Sequence, residues 1–182
     1  MTQKISSRVL QATAPSAILA KCRVLVVEDE RLIREILVRF LRKAGIREIV
    51  EASSAESAWT DLFGPDAKGF HVIITDITLP GVSGVQFIKK LRSIPVARAR
   101  KIPIIVLTGD SSTETYSSLS GCNVASYLIK PISADLLRAA IEHALGFAVQ
   151  APKTVQGAQP EQPEQPEAPA VAAVPQRGNA LA

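Results

Sequence analysis

The sequence predicts an α/β fold, a doubly wound five-stranded parallel sheet with helices on both faces. Two observations support this prediction. Short apolar runs rich in valine and isoleucine alternate five times with segments of helical periodicity, and such βα repetition predicts parallel strands joined by right-handed crossovers. The run at residues 70–75 is almost continuously apolar, which is typical of a strand buried on both faces of a parallel sheet.

The first predicted strand covers residues 23–27 and ends in Glu28 and Asp29. The next segment carries apolar residues at i, i+3, i+4, i+7 and i+8, which form one face of a helix. These residues are Ile33, Ile36, Leu37, Phe40 and Leu41. Gly45 predicts the end of this helix, because glycine readily adopts the left-handed conformation that follows a helix.

The second predicted strand covers residues 49–52. Ser53 and Glu56 have the spacing of a capping box and predict the start of the second helix. Its predicted inward face consists of Ala55, Ala58, Trp59, Leu62 and Phe63. Gly64 and Pro65 predict its end.

The third predicted strand ends at Asp76, a turn follows at residues 80–84, and the next helix has Val85, Ile88 and Leu91 on its inward face. The basic run at residues 98–101 is interpreted as a solvated loop. The fourth strand covers residues 102–107 and ends in Thr108. Pro103 lies near its start, where a missing hydrogen-bond donor is tolerated.

The segment at residues 111–120 is rich in serine and threonine, so any helix there has weak propensity. The fifth predicted strand covers residues 125–129 and ends in Lys130. The last helix has an apolar face made of Leu136, Leu137, Ala140, Ile141 and Leu145.

The two ends of the chain differ in composition from this core. Residues 1–20 lack a clear period and are interpreted as a disordered or loosely docked N-terminal extension, with Pro15 expected to break any helix that Val9 and Leu10 start. Residues 148–182 are rich in proline, glutamine, glutamate and alanine and contain no aromatic residue. They are interpreted as a disordered tail, because they cannot bury enough apolar surface to offset chain entropy. One folded domain is expected between them, over residues 21–147.

Composition and charge exclude several classes of function. The net charge of +4 is not accompanied by basic residues interleaved with aromatics, so no direct contact with nucleic acid is predicted. Cys22 and Cys122 lack metal-ligand spacing and are interpreted as buried free thiols of a reducing compartment. The sequence shows no signal peptide and no apolar run of about 20 residues that would span a membrane. A cytoplasmic location without membrane contact is therefore expected.

Four of the five strands end in side chains that suit phosphoryl chemistry: Glu28 and Asp29, Asp76, Thr108, and Lys130. The carboxyl ends of parallel strands meet at one edge of the sheet, so these groups are expected to lie together. Clustered carboxylates repel one another unless a hard cation such as Mg²⁺ bridges them. A lysine and a hydroxyl can bind anionic oxygens at the same edge.

This pattern assigns a role to each group. Asp76 is the candidate nucleophile toward a phosphoryl group. Asp29 is a predicted direct Mg²⁺ ligand, Glu28 is a longer ligand acting through water, and Asp76 and the backbone carbonyl of Thr78 complete the predicted metal site. Lys130 is expected to pair with a phosphoryl oxygen. No organic cofactor is predicted.

The strand-end motifs resemble those of a known family. Val26-Val27-Glu28-Asp29, Ile74-Thr75-Asp76 with Leu79-Pro80-Gly81, Leu107-Thr108-Gly109 and Tyr127-Leu128-Ile129-Lys130-Pro131 are similar to the receiver domain of two-component response regulators, including the chemotaxis regulators. The resemblance covers residues 21–147 and implies the flavodoxin-like (βα)5 receiver fold.

The resemblance also implies a mechanism. A histidine kinase or a histidine phosphotransfer protein would transfer its phosphoryl group to Asp76. Thr108 would then move toward the phosphoryl group and Tyr127 would turn inward, which makes these two residues the predicted switch. The bond between Lys130 and Pro131 is commonly cis in such domains. The chain is interpreted as a stand-alone receiver that is not an enzyme and that signals by contact with a downstream protein.

Other functions are weighed against this interpretation. A haloacid-dehalogenase-like phosphatase requires a second aspartate at the position of Thr78, and a flavin-binding protein requires a phosphate-cradling loop where Glu28 and Asp29 would repel phosphate. The stronger alternative is a receiver-like binding module that acts as an adaptor without phosphorylation. The oligomeric state is left open.

Overall fold

The computed structural model describes residues 15–109 and 113–146 and arranges them as five strands and seven helices. In chain order these are α1 (Pro15–Leu19), β1 (Arg23–Val27), α2 (Arg31–Lys43), β2 (Glu48–Ala52), α3 (Ala55–Phe63), β3 (Val72–Asp76), α4 (Gly84–Ser93), α5 (Ala97–Arg100), β4 (Ile104–Thr108), α6 (Thr113–Ser118), β5 (Ser126–Ile129) and α7 (Ala134–Ala144).

The five strands form one parallel sheet in the order β2-β1-β3-β4-β5. The predicted fold class is therefore confirmed. The strand order reverses between β1 and β3, and such a reversal opens a crevice at the carboxyl ends of the two strands. Both central strands, β3 and β4, are buried along their whole length, which explains why their sequences are apolar without alternation.

Apolar side chains on the two faces of the sheet form two separate cores. Leu25, Ile73 and Ile104 project toward the face covered by α3 and α4, whereas their neighbours Val26 and Ile74 project toward the face covered by α2 and α7. Successive residues of a strand point to opposite faces, so a sheet covered on both sides needs apolar residues at every position. The sequence meets this requirement.

Helix α2 ends as predicted, and α3 begins one residue later than predicted. Gly45 has φ +98° after the last turn of α2, and its amide donates to the carbonyl of Arg42. The N-cap of α3 is Ser54 rather than Ser53, and the reciprocal partner is Ser57 rather than Glu56. Only Ser53 has a glutamate three residues later, but either serine can act as an N-cap, and the hydroxyl of Ser57 accepts the hydrogen bond from the amide of Ser54 at 3.2 Å.

The predicted N-terminal extension over residues 1–20 is not uniform. Pro15–Leu19 form α1, and the side chain of Leu19 is completely buried in the core beneath α2. Pro15 is the first residue of this helix, a position where no amide donor is needed. The predicted break at Pro15 concerns a helix that Val9 and Leu10 would start, and it stays a prediction. Residues 1–14 lie outside the described part of the chain.

The basic run at residues 98–101 was predicted to be a loop, and this is wrong for most of it. Residues Ala97–Arg100 form α5, and Ala99 is buried beneath it. The guanidinium of Arg92 donates to the carbonyls of Arg100 at 2.7 Å, Cys122 at 2.7 Å and Asn123 at 3.1 Å. This long-range interaction stabilises the end of α5 and has no local sequence signal.

Some apolar positions differ from their predicted burial. Ile36, Phe63 and Leu136 belong to the predicted inward faces but are 45%, 41% and 42% exposed, and Leu32 is 67% exposed. Phe87, which the sequence analysis did not place on the inward face of α4, is completely buried. Ile36 and Leu136 lie at the edges of their apolar stripes, where a helix face turns toward solvent.

The remaining predictions concern strand bounds, the segment at residues 110–120, the tail, the cysteines and membrane-spanning helices. Strands β2, β4 and β5 differ from their predicted bounds by one or two residues at an end. The weak helix predicted within residues 111–120 corresponds to α6, while residues 110–112 and the predicted tail at 148–182 lie outside the described residues. Cys22 and Cys122 are buried and free, as predicted. In the described ranges, no helix is long and apolar enough to cross a membrane.

Candidate functional site

The parallel register brings the predicted site residues to one edge of the sheet. Asp76 is the last residue of β3 and pairs with Leu107, which precedes Thr108 at the end of β4. The amide of Lys130 donates to the carbonyl of Thr108 at 2.8 Å, and the amide of Glu28 donates to the carbonyl of Ala52 at 3.0 Å. The strand ends that carry these side chains are thus in register with one another.

Asp76 is a nearly buried carboxylate with two different partners. Its side chain oxygen Oδ1 accepts a hydrogen bond from the amide of Thr78 at 3.0 Å, and Oδ2 accepts one from Nζ of Lys130 at 2.6 Å. The whole residue is 5% exposed. Gly84 packs directly against its backbone, where a Cβ atom would overlap the carbonyl oxygen of Asp76. Asp76 is therefore rigidly placed.

Lys130 connects the two buried acids of the site. Its ammonium lies 2.6 Å from Oδ2 of Asp76 and 2.8 Å from Oε2 of Glu28. Burial by itself would lower the pKa of Lys130, but hydrogen bonds and charge interactions with Asp76 and Glu28 outweigh it, so the pKa is raised. Lys130 therefore stays protonated at neutral pH. The Lys130–Pro131 peptide bond is cis, as the family resemblance implies.

Glu28 is the most deeply buried acid of the site, at 1% exposure. Burial raises the pKa of its carboxyl group, the ammonium of Lys130 opposes this rise, and the charge of Asp76 adds to it. Its Oε1 atom also accepts a hydrogen bond from the amide of Glu30 at 3.4 Å. An isolated carboxylate at this depth would be strongly disfavoured, so its ion pair with Lys130 is needed to keep it charged.

The acids of the site fit the predicted magnesium ion. Carboxylate oxygens of Glu28, Asp29 and Asp76 all lie within 4.8 Å of one another, and hard oxygen donors are what Mg²⁺ prefers. Asp29 is exposed, so ligand positions there are open to water, which Mg²⁺ retains in most protein sites. The amide of Thr78 is bound to Asp76, and the predicted role of its carbonyl as a metal ligand stays a prediction.

Of the two predicted switch residues, Thr108 lies at the end of β4 next to the site, and Tyr127 lies in the neighbouring strand β5. Thr108 is buried at the end of β4. Tyr127 is half-buried in β5, and its ring centroid lies 4.6 Å from that of Tyr116 on α6. Burial raises the pKa of the Tyr127 hydroxyl, with smaller contributions from Cys122 and Tyr116. The movement of both residues on phosphorylation stays a prediction.

Arg34 on α2 is a residue of the site that the strand-end pattern does not predict. Its Nη1 donates to the backbone carbonyls of Glu28 at 2.7 Å and Asp29 at 3.3 Å, and its Nε lies 3.4 Å from a carboxylate oxygen of Glu51. Its side chain is only 17% exposed. A cation one turn into a helix that follows an acidic loop is the sequence signal that could have identified it.

These contacts define what the site can do chemically. A carboxylate at the end of a central strand is held between a backbone amide and a lysine, with two further acids for a hard cation and a hydroxyl in the adjacent strand. Such a site can neutralise the charge of an incoming phosphoryl group and position a carboxylate to attack it.

Comparison with known proteins identifies relatives over the segment that contains this site. The family model of the response regulator receiver domain matches residues 24–142. The chain is similar to chemotaxis protein CheY1 of Helicobacter pylori, with 31% identity over 125 residues that cover 68% of this chain and 97% of that protein. It also resembles the solved structure of chemotaxis response regulator CheY4 of Vibrio cholerae, with a TM-score of 0.60, 27% identity, and coverage of 68% of this chain and 98% of that one.

A third relative is a larger enzyme. A cyclic di-GMP phosphodiesterase of Thermotoga maritima is 30% identical over 122 residues, which cover 67% of this chain but only 30% of that protein. The similarity therefore concerns less than a third of the phosphodiesterase. The residues that the family model matches include the acidic cluster, the central aspartate and the lysine.

Proposed function

Because the chain belongs to the response regulator receiver domain family of two-component signalling, we propose that it accepts a phosphoryl group on Asp76. The donor is a histidine kinase or a histidine phosphotransfer protein, and the transfer depends on Mg²⁺. The single observation that carries this proposal is the contact of the Asp76 carboxylate with Lys130 at 2.6 Å, in a site that also contains Glu28 and Asp29.

The chemistry follows from the groups present. An oxygen of Asp76 attacks the phosphorus of the phosphohistidine, forming an O–P bond as the N–P bond to the imidazole breaks, and the leaving imidazole takes up a proton. Lys130 neutralises the oxygens of Asp76 and binds a phosphoryl oxygen of the product. Glu28, Asp29 and Asp76 would hold Mg²⁺, which when bound would supply positive charge to balance that of the phosphoryl oxygens.

The output of this reaction is a change in protein contacts. Thr108, next to the acceptor in the sheet, binds the new phosphoryl group through its hydroxyl, and Tyr127 moves inward in response. Packed interiors have discrete alternative arrangements, so one local charge change can alter the surface around β5. A downstream protein reads this surface. In this proposal the chain works as a stand-alone, non-enzymatic receiver in the cytoplasm without direct contact with nucleic acid or membrane, and its oligomeric state stays open.

An apolar groove beside Asp76 supports the proposal that the phosphoryl donor is a protein that binds to this surface. It has a volume of about 400 Å³, lies between α2 and the start of the β5–α7 connection, and is lined by Ile33, Ile36, Leu37, Phe40, Lys130, Pro131 and Ile132. Ile36 lines the groove, and Leu32 lies one turn earlier on α2, outside the lining; both are large apolar residues that are exposed. Because Lys130 belongs to both the groove and the site, a protein bound there lies next to Asp76.

The double variant Leu32→Ala/Ile36→Ala tests this part of the proposal. We expect it to slow phosphoryl transfer from a phosphohistidine protein at least about tenfold, since a few apolar residues dominate protein contacts. Its phosphorylation by acetyl phosphate, which needs no docking surface, is expected to change less than about twofold.

The control for this experiment is Phe63→Ala, which removes an exposed apolar side chain from α3, outside the groove. This variant should transfer at the wild-type rate with either donor. Equal slowing of both donors by the groove variant would contradict a docking role. If the Leu32→Ala/Ile36→Ala variant accepts the phosphoryl group from a protein donor at the wild-type rate, the donor binds to another surface.

The residues of the same site distinguish the phosphorylated receiver from the alternative, an adaptor that works without phosphorylation. A receiver-like module that works without phosphorylation has no need for Asp29, Asp76, Thr108 and Lys130 together, and the close contacts among its acids and its lysine would only be a cost to stability. An Asp76→Asn variant that retains every regulated interaction of the wild-type protein would favour this alternative.

A further inference from the structure

We propose that Arg34 is a positioning residue of the magnesium site, which acts by fixing the loop that presents Glu28 and Asp29. This inference rests on the proposed function, because it concerns the metal that the function requires. Arg34 does not contact Asp76 in the structure, so its effect passes through the backbone of the two other acids.

The contacts of Arg34 are with backbone oxygens of the acidic pair. One nitrogen of its guanidinium, Nη1, donates to the carbonyls of both Glu28 and Asp29. The Cα atom of Asp29 lies between these two peptide groups, and the Cα atom of Glu28 precedes the first of them. The orientation of the peptide groups therefore determines where the two side chains point. Two hydrogen bonds from one nitrogen of a planar group restrict the orientations of both peptide groups at once.

The loop between β1 and α2 has few side-chain contacts of its own: Oε1 of Glu28 accepts a hydrogen bond from the amide of Glu30 at 3.4 Å. Glu30 occupies the N-cap of α2, but its side chain makes no capping hydrogen bond. Among the described residues, no hydrogen bond or ion pair holds the carboxylate of Asp29. A metal ligand that is exposed and unsupported must be oriented through its backbone, and Arg34 supplies the side-chain contacts that do so here.

The other end of the guanidinium ties this loop to the sheet. Nε of Arg34 lies 3.4 Å from Oε2 of Glu51 in β2, the edge strand next to β1. Arg34 itself is anchored by the first hydrogen bond of α2, from its amide to the carbonyl of Glu30 at 3.0 Å. The side chain therefore connects helix, loop and sheet at the point where the acids begin.

A positioning role and a purely electrostatic role of Arg34 predict opposite changes in the affinity for Mg²⁺ when the residue is removed. A cation near a metal site repels Mg²⁺, so a purely electrostatic role predicts tighter binding in Arg34→Met. A positioning role predicts weaker binding, because residues that orient metal ligands typically contribute about 10- to 100-fold in affinity. The Arg34→Met variant keeps most of the apolar stem and removes both the charge and the hydrogen-bond donors.

The test is calorimetric titration of the full chain with MgCl₂, for the wild type, Arg34→Met, Arg34→Lys and the control Arg31→Met. Arg31 lies one turn earlier on the same helix and pairs with Glu35 in solvent, so its removal matches the charge change without touching the loop. We expect the Kd for Mg²⁺ to rise about tenfold in Arg34→Met and to stay within about twofold in Arg31→Met.

Two further readouts separate positioning from loss of stability. Arg34→Lys keeps the charge, but its ammonium reaches one bond less far and lacks the Nε that lies near Glu51, so its Kd should lie between those of the wild type and Arg34→Met. If Arg34→Met does not fold, the Kd for Mg²⁺ of Arg34→Lys is compared with that of the wild type, and a Kd that is not raised overturns the role of Arg34. The rate of phosphorylation by acetyl phosphate in Arg34→Met should recover when the Mg²⁺ concentration is raised above its new Kd, which a damaged fold would not allow.

The outcomes are distinguishable. Wild-type protein that binds no Mg²⁺ would overturn the proposed function and this inference together. Wild-type binding with an equal or tighter Kd in Arg34→Met would overturn only the role of Arg34. A thermal midpoint that falls in Arg34→Met while the Kd is unchanged would show that Arg34 serves the fold alone.

Discussion

Glu28 combines two opposing demands at the scale of a single residue. Its burial disfavours the charged form and raises its pKa, whereas its place beside Lys130 and in the acidic cluster requires that charge. The site therefore contains a carboxylate that reduces the stability of the protein without metal. Functional sites often retain such groups because ligand binding needs them.

The raised pKa of Glu28 predicts a pH dependence of stability. A group whose pKa is higher in the folded state than in the unfolded state stabilises the fold below the unfolded value of about 4.3, and this contribution is lost as the pH rises through the folded value. Relative to Glu28→Gln, the wild type should therefore lose stability between about pH 4 and pH 7. Urea unfolding of both proteins in EDTA across this range measures the difference. A gap that stays constant, or that favours the wild type increasingly toward pH 7, would refute the shift.

Gly84 is required by close packing rather than by backbone conformation. A Cβ atom at this position would collide with the backbone of Asp76, which is fixed by the sheet and cannot yield. We expect Gly84→Ala to lower the free energy of unfolding by about 2 kcal/mol or more, as overpacking in a core does. It should also slow phosphorylation, because the acceptor is displaced.

Gly109 provides the matched control, since a Cβ atom there has no neighbour within 4 Å. The free energy of unfolding of Gly109→Ala should differ from that of the wild type by less than about 0.5 kcal/mol. Chemical denaturation of both variants gives the comparison. Equal destabilisation by the two substitutions would mean that glycine at position 84 has no special steric role.

The identity of most site residues is readable from the sequence, because each follows an apolar run in which the end of a strand can be recognised. Asp76, Lys130 and Glu28 lie together as predicted. Arg34 is not readable in this way, because its role depends on the direction of its side chain back toward the loop. A residue of a helix's polar face usually has no such contact.

At the scale of elements, α1 is the largest departure from expectation. The apolar residues of Pro15–Leu19 are too few to show a helical period, and the burial of Leu19 depends on the surface beneath α2. Helix α5 is similar, since it depends on the side chain of Arg92. Short elements stabilised by tertiary contacts cannot be found from local patterns.

Leu19→Ala tests whether α1 belongs to the folded domain. Removal of a completely buried leucine should lower the free energy of unfolding by about 2 to 5 kcal/mol. Leu136→Ala, at a half-exposed position of α7, should cost less than about 1 kcal/mol. Thermal or urea unfolding of the two variants measures both. If Leu19→Ala is as stable as Leu136→Ala, then α1 is peripheral to the domain.

At the scale of the whole molecule, the sheet converts sequence order into a site. Residues 28, 76 and 130 are separated by about fifty positions each, and the strand order β2-β1-β3-β4-β5 brings their strands to the same edge. Apolar runs and helical periods are local signals, so they predict the fold and the edge at which the chemistry occurs. They do not predict the orientation of each side chain, which depends on packing between elements.

The most direct test of this account is intact-mass spectrometry of the wild type and Asp76→Asn after incubation with acetyl phosphate and MgCl₂. We predict that the wild type gains the mass of one phosphoryl group, that hydroxylamine removes it as expected for an acyl phosphate, and that EDTA prevents it. Asp76→Asn should gain nothing. A wild-type protein that stays unmodified, or an Asp76→Asn variant modified to the same extent, would contradict the assignment of Asp76 as the phosphoacceptor.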